Sequence, residues 1–116
     1  MTDKPILYRL DRTLQPVPVY MDDLKYLDLS REAWPHLTDV VKYGRKKYYI
    51  STVWLGVDHN FNGDGPPLLW ETMVFEQKKG KSGIELYSKR YSSSNDAIHG
   101  HQMTVGWVMD GGPSKL

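Results

Sequence analysis

The 116-residue chain contains no cysteine. Disulfides, thiol nucleophiles, cysteine-ligated zinc and iron–sulfur clusters are thereby excluded, and a reducing compartment is compatible with the composition. The chain also lacks a charge bias. Fifteen Lys and Arg against fourteen Asp and Glu give a formal +1, so no global field draws it to nucleic acid or to an anionic membrane, and any such binding has to be local. No run approaches the roughly 18 uninterrupted apolar residues of a membrane helix. Met1 to Leu10 carry Asp3 and Pro5 where a signal peptide needs a basic region and then an apolar stretch. A soluble, unexported protein with no membrane partner is expected. A Gly-x-Ser-x-Gly elbow, a P-loop and a Gly-x-Gly-x-x-Gly fingerprint are missing as well, which removes the common signatures of serine hydrolases and nucleotide-binding folds.

What is present suits one globular domain over residues 1–116: 40% hydrophobic and 25% charged residues argue against long-range disorder. Ile6 to Asp11 and Val17 to Tyr20 read as short strands, with Pro16 and Pro18 confining the second to an edge. Asp22 to Trp34 carries Leu24, Leu27 and Ala33 at helical spacing before Pro35, which predicts one or two short helical turns. Asp39 to Tyr43 and Lys47 to Val57 flank a tight Gly44-Arg45-Lys46 turn, and the second arm is rich in β-branched and aromatic residues. Leu68 to Gln77 and Ile84 to Tyr91 supply two further strands around a charged turn. The period then changes: Ser94 is placed to cap a helix, and Ile98, His101, Val105 and Val108 fall on one stripe with Ala97 alongside, with Gly111, Gly112 and Pro113 ending it. Gly100 and Gly106 weaken such a helix by roughly 1 kcal/mol each, so packing on the sheet has to hold it. The predicted fold is α+β: an antiparallel meander of four to six strands packed against a carboxyl-terminal helix.

The run Ile50-Ser51-Thr52-Val53-Trp54-Leu55-Gly56-Val57-Asp58-His59-Asn60-Phe61, then Gly65-Pro66-Pro67-Leu68-Leu69-Trp70-Glu71-Thr72-Met73-Val74-Phe75, resembles a family of small bacteriophage and prophage accessory proteins. Arg90-Tyr91 and Gly100-His101 are similar to that family's downstream pattern, so the likeness covers about two thirds of the chain. Asn62 and Asp64 stand where the family is usually glycine-rich. The resemblance implies a phage accessory gene product acting in the host cytoplasm; it brings no catalytic residue with it.

Several constellations are candidates for chemistry. Asp58, Asn60, Asn62 and Gly63 match the opening of a calcium loop, but Leu69 occupies the position of the bidentate glutamate. A turn in which Asp and Asn side chains satisfy the backbone is the better reading. His59 and His101, with Asp58 or Glu71, would make a divalent-metal site or an acid–base pair if the fold brought them together. A buried, hydrogen-bonded His101 is preferred to a ligand, with Glu71 as its expected partner. Arg45, Lys46 and Lys47 interleave with Lys42, Tyr43, Tyr48 and Tyr49, a pattern able to grip phosphate and stack bases. Lys78, Lys79, Lys81, Lys89 and Arg90 would extend the patch if both turns share one end of the meander. Solvated lysines that protect strand edges are the plainer explanation. Eight tyrosines and four tryptophans exceed what a small core buries readily, which favours a protein interface using Trp54 and Tyr48, or self-association through a sheet edge; against that, at least two of Trp54, Trp70 and Trp107 are expected to be core residues.

The sequence reading is therefore a non-catalytic binding module with no cofactor, directed at a host or phage protein. Its binding residues are Asp58, His59, Asn60, Trp54, Tyr48, Arg45, Lys46 and Lys47. A homo-oligomer is a further expectation, and nucleic acid ranks below protein as partner. The different-class alternative is a metal-assisted hydrolase or small-ligand binder built on the Asp58-His59 loop, His101 and Glu71.

Overall fold

The computed structural model describes residues 5–20, 36–61, 64–79 and 81–115. Strands β1 (Leu7–Leu10) and β2 (Pro16–Val19) form a small antiparallel hairpin. Asp11 Oδ1 closes its turn by accepting from Thr13 N, Thr13 Oγ1 and Gln15 N at 2.7–3.0 Å, side-chain acceptance that adds to the backbone bonds from Asp11 N to Gln15 O and from Leu14 N to Asp11 O. The helical turns expected between Asp22 and Trp34 lie outside the described residues.

The main sheet is a meander, β3 (His36–Tyr43), β4 (Lys46–Trp54), β5 (Trp70–Lys78) and β6 (Lys81–Tyr91), paired in that order and antiparallel throughout. The β3–β4 connection is a two-residue Gly44-Arg45 turn. Gly44 takes φ +62 at the first central position, where hairpins of this kind favour glycine. Register pairs Trp54 with Trp70, Thr52 with Thr72 and Ile50 with Val74, so all six share one face, and each is 5% exposed or less. The ladder shifts between Val74 and Phe75, opposite Tyr87 and Glu85. One extra β6 residue, Leu86, is accommodated there, and such a bulge re-aims side chains at a sheet edge.

Helix α1 (Ser94–Met109) packs against all four strands of this sheet. Its cap is Ser93 rather than Ser94: Ser93 Oγ accepts from Asp96 N at 3.1 Å, and Ser94 is buried. The expected stripe holds for His101, Val108 and the flanking Ala97, with Val105 packed partly buried against the core, and fails at Ile98. Ala97, His101, Thr104 and Val108 face inward, whereas Ile98 is 39% exposed. The reason lies in the sheet. Thr52 and Thr72 present hydroxyls beneath the middle of the helix, so polar helix residues belong there, and a reading that follows hydrophobicity alone misses Thr104 and favours Ile98.

Among the described residues, the core consists of two apolar clusters with a polar layer between them. Tyr8, Trp54, Leu69, Trp70, Tyr91 and Ala97 form one cluster; Tyr48, Ile50, Val74 and Val108 form the other. Thr52 lies between Ile50 and Trp54 on β4, Thr72 between Val74 and Trp70 on β5, and His101 between Ala97 and Val108 on α1. No helix among the described residues is long and apolar enough to cross a membrane.

Candidate functional site

Loop 55–69 is held from within. Asp58 Oδ1 accepts from Asn60 N at 2.7 Å and from Leu68 N at 3.0 Å, and Asn60 Nδ2 donates to the carbonyls of Asp64 and Pro66. His59 N donates to Leu68 O, and its Nδ1 donates to Val57 O at 2.7 Å. From β1 side, Tyr8 N donates to Gly56 O and Asp58 N to Ile6 O, each at 2.8 Å. The Asp58 oxygen that a calcium ion would take is thus turned to amide N–H groups, in keeping with a turn that satisfies its own backbone. Burial first, then the nearby Asp58 carboxylate and Tyr20, push the Tyr8 phenol above its ordinary value, so it remains protonated. The loop presents Phe61, 80% exposed, beside the His59 ring at a centroid distance of 5.6 Å.

The second candidate histidine belongs to a different arrangement. His101 Nε2 lies 2.7 Å from Asp39 Oδ2, its Nδ1 lies 2.7 Å from Thr52 Oγ1, and Thr52 Oγ1 lies 2.5 Å from Thr72 Oγ1. The expected Glu71 partnership is not formed. Glu71 projects from the opposite sheet face and accepts from Arg90 Nε at 2.9 Å. The chain carboxylate–imidazole–hydroxyl has the order of a nucleophilic triad, but Thr52 is 1% exposed, so its oxygen is closed to a substrate. The set His59, His101, Asp58 and Glu71 is not gathered: both His101 nitrogens are engaged elsewhere, and no three His, Asp or Glu among the described residues are grouped to hold a metal ion.

Two of the expected contact residues are core. Tyr48 and Trp54 are 1% and 4% exposed, because even-numbered positions of β4 face the helix; Tyr48 spends its hydroxyl on Ser114 Oγ at 3.0 Å. Arg45, Lys46 and Lys47 are exposed at the β3–β4 turn. The β5–β6 turn with Lys78 and Lys79 emerges beside it, whereas Lys89 and Arg90 pair with Thr72 and Glu71 farther along the sheet. The basic residues therefore divide into two places.

Lys89 and Arg90 border a groove of about 990 Å³ between β6 and α1. Leu86, Tyr87 and Tyr91 contribute one wall, and Met103 and Trp107 the other, with Asp96 and His99 toward the helix start. Tyr87 and Trp107 rings stand 5.3 Å apart, and Lys89 Nζ lies 5.7 Å over the Tyr91 ring. Burial, then proximity to Tyr91, raises the Tyr87 phenol above its ordinary value. Tyr91 Oη is buried without a hydrogen-bond partner among the described residues. Sequence reasoning missed this groove, although a signal exists: Asp96, His99, Met103 and Trp107 fall at i, i+3, i+7 and i+11, a second helix face beside the buried one.

Comparison with protein-family models, curated proteins and solved structures finds no match.

Proposed function

We propose that this chain is a phage-encoded accessory protein that acts in the host cytoplasm as a non-catalytic binding module, seating a segment of a host or phage protein in the groove between β6 and α1. The observation that carries this reading is the groove wall itself. Tyr87, Trp107 and Met103 are side-chain types enriched at protein interfaces, and here they meet in one concavity with a charged rim. Met103 is 63% exposed, an apolar side chain with much of its surface available to a partner. Among the described residues β6 has a strand on one side only, so an extended segment entering the groove can also pair with its outer edge. The phage origin rests on the block from Ile50 to Phe75.

The test is affinity capture from nuclease-treated host lysate with wild type and Met103→Glu in parallel. A stoichiometric protein captured by the wild type and lost with Met103→Glu, whose melting temperature is unchanged, supports the reading. Equal capture by both proteins removes the groove from consideration.

A further inference from the structure

The two hairpin turns of the main sheet lie side by side, because Lys47 at the start of β4 pairs with Gln77 at the end of β5. Segments 42–47 and 76–79 together hold six of the fifteen basic residues and one of the fourteen acidic residues. We propose that this end of the sheet is a binding site for the phosphodiester backbone of a nucleic acid, separate from the groove.

Three observations carry the assignment. Lys42 and Lys47 are direct cross-strand partners, and like charges placed opposite one another destabilise a sheet. Lys79 holds φ +53, in a left-handed region that glycine or asparagine occupies more easily. The acidic compensation is thin: Glu76 alone serves Lys46 at 3.8 Å and Lys78 at 3.7 Å, with both lysines well exposed. Lys42, Arg45, Lys47 and Lys79 have no carboxylate partner among the described residues. Each of these choices sacrifices local stability for positive charge at one place, which is the pattern expected where function overrides folding.

The structural alternatives explain less. The carboxyl-terminal end of α1 does come close, since Gly111 packs against the Tyr43 ring, and cations near that end of a helix are favourable. Yet Lys42 and Lys47 alternate with Val41 and Tyr48, which pack into the core cluster containing Val108 of the helix, so these lysines project from the other face. Edge protection accounts for Lys42 on β3 but not for Lys47 on an inner strand. Five of these six cations are lysines. Lysine is depleted at protein interfaces and serves as a point charge for phosphate. The two turns stand about 10 Å apart, two inter-strand spacings, close enough for both to reach one nucleic-acid strand.

Fluorescence anisotropy with a labelled mixed-sequence oligonucleotide, single-stranded and duplex, tests the proposal. Affinity should weaken steadily between about 50 and about 200 mM salt, with a log–log slope of about −0.9 per phosphate contacted on duplex or −0.7 on single strand. The triple variant Lys42→Gln, Lys47→Gln, Lys79→Gly should lose at least about tenfold in affinity at the lower salt and flatten the slope by about 2 to 3, while melting no lower than wild type. Met103→Glu in the groove should bind the oligonucleotide as wild type does. Absence of binding to either form at about 50 mM salt, or unchanged binding by the triple variant, overturns the proposal. So does equal affinity for polyglutamate or for phosphatidylserine-containing vesicles, which would assign the site to an acidic protein or a membrane surface.

Discussion

His101 on α1 and Asp39 on β3 are joined at 2.7 Å between Nε2 and Oδ2, sixty-two residues apart in sequence. The carboxylate accepts only, so Nε2 carries a proton. A neutral imidazole then has a lone pair at Nδ1, Thr52 donates into it, and Thr72 donates to Thr52. Every proton of the chain has one acceptor, and Thr72 Oγ1 has no other partner among the described residues. The buried polar layer is satisfied as it stands, which lets it separate two apolar clusters without the penalty of orphaned groups. It also ties the helix to three strands at once, fixing how far α1 can slide or rotate on the sheet.

Removing the imidazole should therefore cost far more than removing the charge. His101→Ala opens a cavity beneath the helix and leaves Thr52 with one partner fewer, for an expected loss of about 2–4 kcal/mol. In Asp39→Asn the amide oxygen still accepts from Nε2, and the side chain of Asp39 is 54% exposed, so the loss should stay below about 1 kcal/mol. Urea unfolding of both variants measures the difference. Equal losses would mean that the carboxylate charge on Asp39, not the hydrogen-bonded layer, holds the helix.

The proton assignment is separately checkable. Nitrogen chemical shifts should place the His101 proton on Nε2 and show Nδ1 as an acceptor, while His59, which donates from Nδ1 to the Val57 carbonyl, should show the reverse tautomer. A His101 proton on Nδ1 in the neutral ring would contradict the chain drawn through Thr52 and Thr72.

Most of the fold was legible because its signals are local. Alternation in Lys46 to Trp54 and the glycine turn before it specify the central hairpin, and Ser93 and Ser94 with Asp96 mark a helix start to within one residue. The site was harder to read. Glu71 and Asp39 are both carboxylates on strands, and which one meets His101 depends on sheet parity: Glu71 precedes Thr72 and so faces away from the helix, while Asp39 pairs with Ile50 and faces it. Tyr48 and Trp54 illustrate the same difficulty, since an aromatic residue on a strand reads equally well as anchor or core until the covered face is known. The groove depends on a bulge near Leu86 and on the second face of α1, neither of which composition or period reveals.

The β1–β2 turn should leave a trace at acid pH. The Thr13 hydroxyl, first among several hydrogen bonds, holds the Asp11 carboxyl below its ordinary value of 3.8. A carboxyl whose folded value is depressed contributes stability that is present above its unfolded value and is lost as pH falls through the folded one. The contribution from this exposed turn is small, but the titration is local. Thr13→Val should move the Asp11 midpoint, followed by carboxyl chemical shift, upward toward 3.8. An unmoved midpoint would place the effect in the backbone hydrogen bonds instead.

The two helix glycines should respond to alanine with opposite sign, even though propensity alone favours both changes by about 1 kcal/mol. A Cβ on Gly106 meets nothing within 4 Å among the described residues, so Gly106→Ala should stabilise the protein by up to that amount. A Cβ on Gly100 would overlap the hydroxyl and ring of Tyr91, a side chain only 7% exposed and fixed in the core. Gly100→Ala should therefore destabilise by about 1–3 kcal/mol, as overpacking does. The Tyr91 hydroxyl is also buried without a partner among the described residues, so Tyr91→Phe should be neutral or stabilising, because removing an unsatisfied group recovers its desolvation penalty. Combining the two substitutions removes the closest overlap, and the double variant should lose less than the sum of the single changes. Thermal unfolding of the four proteins decides the matter. If Gly100→Ala stabilises as much as Gly106→Ala, the helix stands farther from β6 than the Tyr91 contact requires, and the groove beside it is correspondingly wider.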